Sequence, residues 1–431
     1  MSNPIERSPC AQRQCTAVVI WIDWYAYHVA RFMGLQSAFG HSGEVVGIEL
    51  VGGIGVHAGI KFREDLPPDL PIETLMPEKN WRDVNKFRVA CTLWRRLSEL
   101  DPEIVLVPGY YSLPAIAAAL WARRNDRISV LMTESAERDH VRSVWKEKLK
   151  SILIRRLFSW AVTGGAAHVR YLRQLGFRAD RIAHFYDVVG NERLREHTTT
   201  LRTISAPADH HLPSSYFLYV GRLAPEKNVE ALLAAWLTYR QQGGLKSLVI
   251  VGDGPNAQSL RKTTADSSFA QHAVFAGHKS SRELLPFFAF ADCFVLPSTR
   301  EPWGLVVNEA MAASLPLLVS SSCGCAEDLV DVGGNGYVFD PNNIDEITGY
   351  LHLFDRIKPK ALSLMRETSA SRISVFSPRN FGAEISDIRA MASPRKAAKP
   401  TVQSPGFPRL RPLKIERTDG SKTPPSERAY E

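Results

Sequence analysis

The sequence predicts an α/β protein made of two doubly wound parallel sheets, and three observations carry that prediction. Short, nearly continuous apolar runs rich in β-branched residues recur along the chain, with segments of helical spacing between them. Such runs are typical of parallel strands that helices cover on both faces. The runs form two series separated by a polar stretch, which indicates two domains. The length of 431 residues fits this division, since domains commonly hold about 100–200 residues.

The strands of each series set the domain boundaries. They are predicted at residues 17–22, 45–51, 104–107 and 128–132 in the first series, and at 216–220, 248–251, 273–275, 293–296 and 315–320 in the second. Between the series, residues 198–215 are polar and aperiodic, which predicts an exposed linker. We therefore expect a first domain at 15–197 and a second at 214–375, facing each other across a cleft at the carboxyl ends of their strands.

A last helix is predicted over residues 376–392. Ser377 is a favourable N-cap residue, and Pro378 suits the first helical position. Apolar residues follow at helical spacing, at Phe381, Ile385, Ile388 and Met391. The helix therefore has an apolar face that must pack on one of the domains.

The basic excess of the chain is concentrated in two places. The net charge is +8, but residues 393–431 hold nine basic and four acidic residues, and residues 141–160 hold six basic and one acidic. The first of these segments is rich in proline and predicts a disordered basic tail. The remainder of the chain carries a net charge of −2, so basicity is not a property of the fold. No nucleic-acid-binding motif accompanies either segment, and nucleic acid is not an expected partner.

The segment 141–160 has two open interpretations. Its apolar residues share one helical face, which Arg156 interrupts; they are Trp145, Leu149, Ile152, Leu153 and Trp160. One interpretation is an ordinary surface helix of the first domain. The other is a helix that attaches to an anionic membrane surface, as basic amphipathic helices do.

The remaining composition predicts a cytoplasmic protein. No apolar run approaches the ~18 residues of a membrane-spanning helix, and residues 1–14 lack the apolar core of a secretory signal. The six cysteines show no metal-ligand spacing, and reduced thiols are the default in the cytosol. Attachment to the inner face of the plasma membrane stays open through the segment 141–160.

Two basic side chains follow the carboxyl end of the first strand of the second series. This strand runs into Gly221 and Arg222, and Lys227 follows five residues after Arg222. Such charges compensate the negative charge that builds on a diphosphate leaving group. Asn228 is placed to cap the helix that follows. The alternative is a solvated loop with incidental charges.

Glycines follow the next strand. Residues 252–257 match the loose G-x-G-x-x-[GA] dinucleotide pattern through Gly252 and Gly254. The following strand ends in Gly277 and His278 rather than in an acid suited to a ribose hydroxyl, so we reject the dinucleotide interpretation. We expect these glycines to permit a tight turn and a close backbone approach instead.

The strongest signal is the segment 301–311, EPWGLVVNEAM, which follows a strand and opens a helix. Glu301 on the loop can bind sugar hydroxyls, and Glu309 in the helix can accept hydrogen bonds from two vicinal ribose hydroxyls. The backbone N–H groups near Gly304 and Leu305 lie at a helix N-terminus, which is a natural phosphate site.

Together these motifs resemble the nucleotide-sugar-binding half of a retaining glycosyltransferase of the family 4 type, which has the GT-B architecture of two Rossmann-like domains. The resemblance covers about 160 residues; its motifs are VGRLAPEKN (220–228), VGDGP (251–255), FAG (275–277), ADCFVLPSTREPWGLVVNEAMAASLP (291–316) and CGCAEDLV (323–330). The turn around Cys323 and Cys325 is expected to need small residues rather than to form a redox pair.

The resemblance assigns roles to individual residues. It implies that Arg222 and Lys227 contact the donor diphosphate, Glu301 the donor sugar and Glu309 the nucleotide ribose. His278 and Lys279 are implied to line the base pocket. The remaining residues that we expect to surround the donor are Gly221, Gly252, Gly254, Pro302, Trp303, Gly304 and Leu305.

The first domain resembles the family less closely. Members typically have a Gly-Gly pair after the first strand, whereas this chain has Tyr27, His28 and Arg31 in a Tyr-His-x-x-Arg turn similar to that of a bacterial subgroup. Many members place a catalytic-site histidine where this chain has Glu134. We therefore count His28 and Glu134 among the catalytic residues, while structural roles for both stay open. For His28 that role is a helix-start histidine bonded to the backbone.

The predicted activity is retaining transfer of a hexose-type sugar from a nucleoside-diphosphate sugar to a carbohydrate or lipid-linked acceptor in glycan or polysaccharide biosynthesis. Beyond this donor substrate no cofactor is expected. The chain has no Asp-x-Asp motif to place a divalent cation, and Arg222 and Lys227 can supply positive charge, so we expect metal independence. A donor-binding pseudoenzyme or scaffold is the alternative of another class. A nucleotide-sugar 2-epimerase is a lesser one.

Overall fold

A computed structural model describes residues 15–40, 43–53, 70–137 and 144–392. These residues form two compact units. The first unit extends to Gly190 and is completed by Phe376–Ala392, and the second unit is Asn191–Val375. The predicted basic tail 393–431 and the start of the basic segment 141–160 lie outside the described residues. In the described ranges, no helix combines the length and hydropathy that crossing a bilayer requires.

The first unit contains a parallel sheet of seven strands in the order β3-β2-β1-β4-β5-β6-β7. The strands are β1 Cys15–Trp21, β2 Glu44–Glu49, β3 Ile72–Thr74, β4 Ile104–Pro108, β5 Ile128–Met132, β6 Trp160–Val162 and β7 Ile182–Ala183. The helices are α1 Ala26–Phe39, α2 Lys86–Leu100, α3 Leu113–Arg124, α4 Val144–Leu157 and α5 Ala166–Gln174. The four predicted strands are confirmed, and the three that the sequence missed have only two or three residues each.

The second unit contains a parallel sheet of six strands in the order β10-β9-β8-β11-β12-β13. The strands are β8 Tyr216–Val220, β9 Ser247–Val251, β10 Ala273–Gly277, β11 Cys293–Leu296, β12 Leu317–Ser320 and β13 Gly336–Phe339. The helices are α6 Asn191–Ile204, α7 Val229–Gln241, α8 Ala257–Ala265, α9 Leu285–Phe290, α10 Leu305–Ala312, α11 Ala326–Leu329, α12 Ile344–Arg356 and α13 Pro359–Ile373. The strand order reverses between β8 and β11, which is where doubly wound sheets bind ligands.

The expected linker at 198–215 is wrong. Helix α6 continues through it to Ile204, and a 3₁₀ turn follows at Pro207–His210. Thr198 is buried, and its hydroxyl donates to the Leu194 carbonyl at 2.9 Å. Arg202 donates to the carbonyls of Ala289 and Ala313, each at 2.6 Å, which holds α6 against the second unit. The sequence did not show α6 by a regular spacing of apolar residues, because side chain–backbone hydrogen bonds replace part of the apolar packing of this helix.

The predicted last helix is confirmed as α14, Pro378–Ala392, and it packs on α1 of the first unit. The Ser377 hydroxyl accepts a hydrogen bond from the Asn380 amide at 3.2 Å, as an N-cap should. The two helices touch through backbone, because a Cβ added at Gly34 would overlap the Pro378 carbonyl and one added at Gly382 would overlap the Gly34 carbonyl. The chain thus returns from the second unit to close the first.

We predict that Gly382→Ala lowers the free energy of unfolding by about 1–3 kcal/mol, since the added methyl must push α14 away from α1. Denaturant unfolding followed by tryptophan fluorescence measures this change. Gly190→Ala is the matched control, because an added Cβ there has no atom within 4 Å. Equal stability of the two variants would contradict the tight helix crossing.

Candidate functional site

The loops after β8, β9 and β10 meet at the carboxyl edge of the second sheet through direct backbone contacts. The Gly252 amide donates to the Gly277 carbonyl at 2.8 Å, and the Leu223 amide donates to the Asp253 carbonyl at 2.9 Å. A Cβ at Gly252 would overlap the Gly221 carbonyl, and one at Gly254 would overlap the Leu223 carbonyl. The close backbone approach predicted for these glycines is therefore present.

Lys227 and Glu301 form an ion pair between the loops that follow β8 and β11. Lys227 ends a 3₁₀ turn, Pro225–Lys227, and both side chains are largely buried. The Ser298 hydroxyl lies 3.4 Å from the Glu301 carboxylate. The structure thus brings together two residues that the sequence predicted as diphosphate and sugar contacts.

Asn228 is not the helix cap that the sequence suggested. Its backbone is left-handed, with φ 54°, and its side chain makes no cap bond to α7. The side-chain amide instead donates to the carbonyls of Pro297 and Pro341, at 3.2 and 2.8 Å. Asn228 therefore ties the loops after β11 and β13 to the loop that carries Lys227.

Arg222 occupies a different environment from Lys227. Its side chain is exposed and forms an ion pair with Glu226 in the same loop. Glu226 had no distinguishing mark in the sequence, since an ion pair between residues four positions apart is a common surface feature. This partner limits where the guanidinium group can go, and it leaves the other donors of the group accessible.

The loop that begins at Glu301 is covered by the turn around Cys323 and Cys325. The Gly324 amide donates to the Glu301 carbonyl at 2.9 Å, and the Cys325 amide donates to the Trp303 carbonyl at 3.1 Å. A Cβ at Gly324 would overlap the Pro302 carbonyl, and both thiols are buried. The prediction of a small-residue turn is confirmed.

Trp303 does not present its side chain to a donor. The indole is buried, and its N–H donates to the Asn308 side chain at 2.9 Å within α10. The side chain therefore fixes the loop to the helix that it opens. Pro302 is exposed, while Gly304 has φ 104° and allows the turn into Leu305 at the helix N-terminus.

Glu309 lies in the second turn of α10 and is partly buried. Its carboxylate has no hydrogen-bond or ion-pair partner in the part of the chain that the structure describes. Burial raises the pKa of Glu309 to about 7. On the other side of the site, His278 is exposed and Lys279 is partly buried after the left-handed Gly277. Their predicted place beside a nucleotide base is compatible with these positions.

In the first unit, His28 belongs to the core. Its ring stacks on Trp21 with centroids 4.4 Å apart, and its Nδ1 lies 3.3 Å from the Tyr25 amide and 3.1 Å from the Asp23 carbonyl oxygen. Burial, followed by the charge of Arg31, holds the pKa of His28 well below its usual range. The backbone contacts of a helix-start histidine are thus present, while the catalytic role of His28 stays a prediction.

Glu134 follows β5 at the carboxyl edge of the first sheet and is partly buried. Near this edge, the buried Asp187 accepts a hydrogen bond from Arg31 at 3.2 Å. Sequence reasoning missed Asp187, because 156 residues separate it from Arg31 and no local motif marks it.

Within the described ranges, no group of three or more His, Cys, Asp or Glu side chains is placed to hold a metal ion. The second unit offers cations, carboxylates and backbone amides around the carboxyl edge of its sheet.

We predict that the free energy of unfolding of the wild type falls relative to that of Glu309→Gln as the pH rises from about 4.5 to about 7. The folded-state pKa of Glu309 lies above its ordinary value of 4.5, so in this window the folded protein holds a proton that the unfolded chain has lost. The contribution is complete below pH 4.5 and lost above 7. Denaturant unfolding across this range, with exposed Glu367→Gln as the control, measures it; parallel curves for wild type and Glu309→Gln would contradict it.

Comparisons with known proteins find similarity to glycosyltransferases. Residues 203–364 match the family model described as Glycosyl transferases group 1. A GDP-mannose-dependent alpha-(1-6)-phosphatidylinositol monomannoside mannosyltransferase of Mycobacterium tuberculosis is 35% identical over 135 residues, which is 30% of this chain and 35% of that protein. A glycogen synthase of the same species is 36% identical over 127 residues, 30% of each chain. This chain thus matches about a third of the length of these relatives.

The fold extends the similarity to both units. The crystal structure of Anabaena Alr3699/HepE in complex with UDP and glucose superposes with a TM-score of 0.67 at 15% identity, covering 87% of this chain and 99% of that one. At this identity the likeness concerns architecture alone. Residues 203–364 therefore resemble a glycosyl transferases group 1 domain, in a chain that has the GT-B fold.

Proposed function

We propose that this protein transfers a hexose-type sugar from a nucleoside-diphosphate sugar to a hydroxyl group of a carbohydrate or lipid-linked acceptor, with retention of configuration. One observation carries the proposal: the Lys227–Glu301 ion pair lies on the loop that opens α10, in a domain that matches glycosyl transferases group 1. The family 4 type and retention rest on the motifs of the second unit.

The parts of the site suit a donor with two phosphates. Lys227 and Arg222 supply positive charge, and the N–H groups at the start of α10 can receive a phosphate oxygen. The bond between the sugar C1 and the phosphate oxygen breaks while the acceptor oxygen bonds to C1. The acceptor proton leaves with the diphosphate. Charge develops on the diphosphate in the transition state, so these cations stabilise that state more than the bound donor.

The carboxylates have separate roles in the proposal. Glu301, paired with Lys227, accepts hydrogen bonds from sugar hydroxyls with the oxygen that Lys227 leaves accessible. Glu309 accepts from the ribose hydroxyls. We propose that transfer needs no divalent metal, because Arg222 and Lys227 can supply the positive charge and the sequence has no Asp-x-Asp motif.

Two nucleotide bases, guanine and uracil, are candidates for the donor. A relative of this chain is GDP-mannose-dependent, whereas a structural neighbour was crystallised with UDP and glucose. Both bases would have to bind near His278 and Lys279. The test therefore uses GDP-mannose and UDP-glucose as probes in parallel.

We predict that Glu309→Ala weakens binding of the donor by about 10- to 150-fold, since a hydrogen bond to a charged group contributes roughly 1.5–3 kcal/mol. Lys227→Ala should mainly lower turnover, because it removes charge from the leaving group. Calorimetric titration with the two nucleotide sugars gives the first value, and product formation with and without EDTA gives the second. Lys262→Ala, an exposed lysine on α8, is the control.

The outcomes of this experiment separate the alternatives. Binding without transfer or hydrolysis would favour a pseudoenzyme or scaffold. Conversion of the donor to its 2-epimer without an acceptor would favour an epimerase. Donor binding and kinetics that neither Glu309→Ala nor Lys227→Ala changes would refute the site.

The acceptor side of the proposal rests on α4. Trp145 and Leu149 on this helix are 65% and 61% exposed, and Ile152 and Leu153 are exposed beside them. Ile154 and Leu157 instead face the core of the unit. A helix that packs its own apolar side and still exposes a second apolar stripe has the surface of an interfacial helix.

The exposed basic residues of α4 are fewer than the sequence predicted for this surface. Lys150 is paired with Glu147 at 2.8 Å and bonded to Tyr171, so it serves the fold. Trp160 lies in β6 and is buried, so the predicted face ends earlier. Lys146 and Lys148 are exposed beside the apolar stripe. We propose that the protein is cytoplasmic and binds the anionic face of a membrane through α4, where a lipid-linked acceptor would be presented.

We predict that charge reversal at Lys146 and Lys148 together lowers binding to vesicles containing phosphatidylglycerol by at least about tenfold, since each basic residue contributes about 1 kcal/mol. Co-sedimentation with anionic and with purely zwitterionic vesicles measures this. The control reverses Lys262 and Lys360, which are exposed on the second unit. Equal sedimentation of both double variants would show that α4 is an ordinary surface helix.

A further inference from the structure

The loop between β4 and α3, residues 109–112, exposes an aromatic side chain at the carboxyl edge of the first sheet. Tyr111 is 74% exposed, whereas its neighbour Tyr110 packs against the core of the unit. The two rings are tilted, with their centroids 4.7 Å apart. A large aromatic ring is therefore accessible at the edge where doubly wound sheets bind ligands.

Hydrogen bonds fix both ends of this loop. The Gly109 amide donates to the Met132 carbonyl on β5 at 2.9 Å. Ser112 Oγ accepts from the Ala115 amide at 3.2 Å, as the N-cap of α3. Gly109 has φ 72°, and a Cβ added there would lie 3.0 Å from the Tyr111 ring. The ring thus lies close beside a fixed backbone, so a ligand that covers it has little loop motion to arrest.

Tyr110 connects this loop to α4. Lys150 Nζ lies 5.4 Å from the centre of the Tyr110 ring and 5.0 Å from the centre of the Tyr171 ring. Lys150 also pairs with Glu147 at 2.8 Å. Because Tyr171 belongs to α5, this lysine joins the loop after β4 to both helices. The place of Tyr111 beside α4 is therefore set by packed neighbours of the loop.

The loop meets α4 on the side that faces the core, away from the exposed apolar stripe. Lys150 shares its side of the helix with Ile154 and Leu157, which follow it at helical spacing and are buried. The exposed apolar stripe of α4 is on another side of the helix. Tyr111 therefore belongs to the sheet edge, next to the helix that we place on the membrane.

An exposed, fixed aromatic ring suits one kind of ligand surface. The face of an aromatic ring is electron-rich and attracts partly positive C–H groups. A pyranose ring presents several C–H groups on one face, while its hydroxyl groups point outward to polar partners. A sugar that covers Tyr111 would thus bury apolar surface without burying its hydroxyl groups.

We propose that Tyr111 is a specificity-determining residue for the acceptor, and that its ring stacks on the pyranose ring of a sugar attached to a lipid. The inference rests on the proposed glycosyl transfer and narrows the acceptor to a lipid-linked glycoside. The residues that we assign to the donor lie in the second unit, so a sugar at Tyr111 in the first unit is the acceptor. The lipid part would lie at the membrane beside α4.

Three substitutions separate a stacking ring from other roles. Tyr111→Phe keeps the flat ring, Tyr111→Leu keeps apolar volume without it, and Tyr111→Ala removes both. With octyl glucoside and octyl mannoside as acceptor probes, we expect the acceptor KM to rise at least about fivefold in Tyr111→Ala and Tyr111→Leu. Tyr111→Phe should resemble the wild type. The kcat and the donor KM should change little, because the ring does not touch the reacting atoms.

A second measurement does not depend on transfer. Saturation-transfer NMR detects binding of the two octyl glycosides without a donor, and the C–H protons of the sugar should respond more with wild type and Tyr111→Phe than with Tyr111→Leu. Phe87→Ala is the control, since Phe87 is a 68% exposed aromatic residue of the same unit, on α2. It should leave binding and kinetics unchanged. Vesicles containing phosphatidylglycerol should bind Tyr111→Ala as well as the wild type.

These measurements distinguish the inference from the function on which it rests. If no donor supports transfer, the proposed function fails, while glycoside binding still decides the role of Tyr111. The inference would be overturned if the wild type bound neither glycoside, or if Tyr111→Leu bound them as the wild type does. It would also be overturned if Tyr111→Phe were as weak as Tyr111→Ala, which would assign the role to the hydroxyl group. Loss of vesicle binding alone would make Tyr111 a membrane anchor and overturn it as well.

Discussion

The ion pair between Lys227 and Glu301 is the interaction on which the edge of the second sheet depends. It joins the loops after β8 and β11, where the strand order reverses. Both side chains are largely buried, and removal of one partner would leave the other charge uncompensated. The pair thereby keeps a cation and a carboxylate side by side before any ligand arrives. In the proposed function, this carboxylate and this cation would meet the sugar hydroxyls and the nearby phosphate charge of the donor.

The surrounding backbone is arranged to make that pair possible. Glycines at 252 and 254 let the loops after β8 and β9 approach through their backbone, and Asn228 reaches across to two more carbonyls. Gly324 does the same beneath the loop of Glu301. Any side chain at these positions would separate the loops, because the neighbouring atoms are carbonyl oxygens that cannot rotate away. The motifs of the second unit therefore determine how closely the loops approach one another, as well as which functional groups the loops carry.

Sequence reasoning located the strands and this edge because both follow from local patterns. Apolar runs mark buried parallel strands, and polar residues that directly follow them must lie at the carboxyl edge. It failed where the decisive contact was distant or polar. Thr198 belongs to a helix without an apolar stripe, and Trp303 has the size of a ligand-stacking residue but is buried. Asp187 lies beside Arg31 only because the fold brings together residues that are 156 positions apart. None of these features has a signature within a few residues of sequence.

The structure also separates the basic residues of α4 into those that pair within the fold and those that are exposed, which composition alone cannot do. Lys150 neutralises Glu147 inside the first unit, whereas Lys146 and Lys148 extend into solvent beside Trp145. The exposed charges and the exposed apolar residues are thus on the same helix, while Ile154 anchors that helix to the core.

Glu301 and Glu309 show how one loop and helix can give two carboxylates different surroundings. Glu301 is paired with Lys227, but Glu309 has no cation beside it within the described ranges, and burial raises the pKa of Glu309 to about 7. A ligand that donates hydrogen bonds to Glu309 would favour its ionised form and release the proton. Binding at this position is therefore linked to pH near neutrality. The pH dependence of affinity for a nucleotide, compared between the wild type and Glu309→Gln, reports on Glu309.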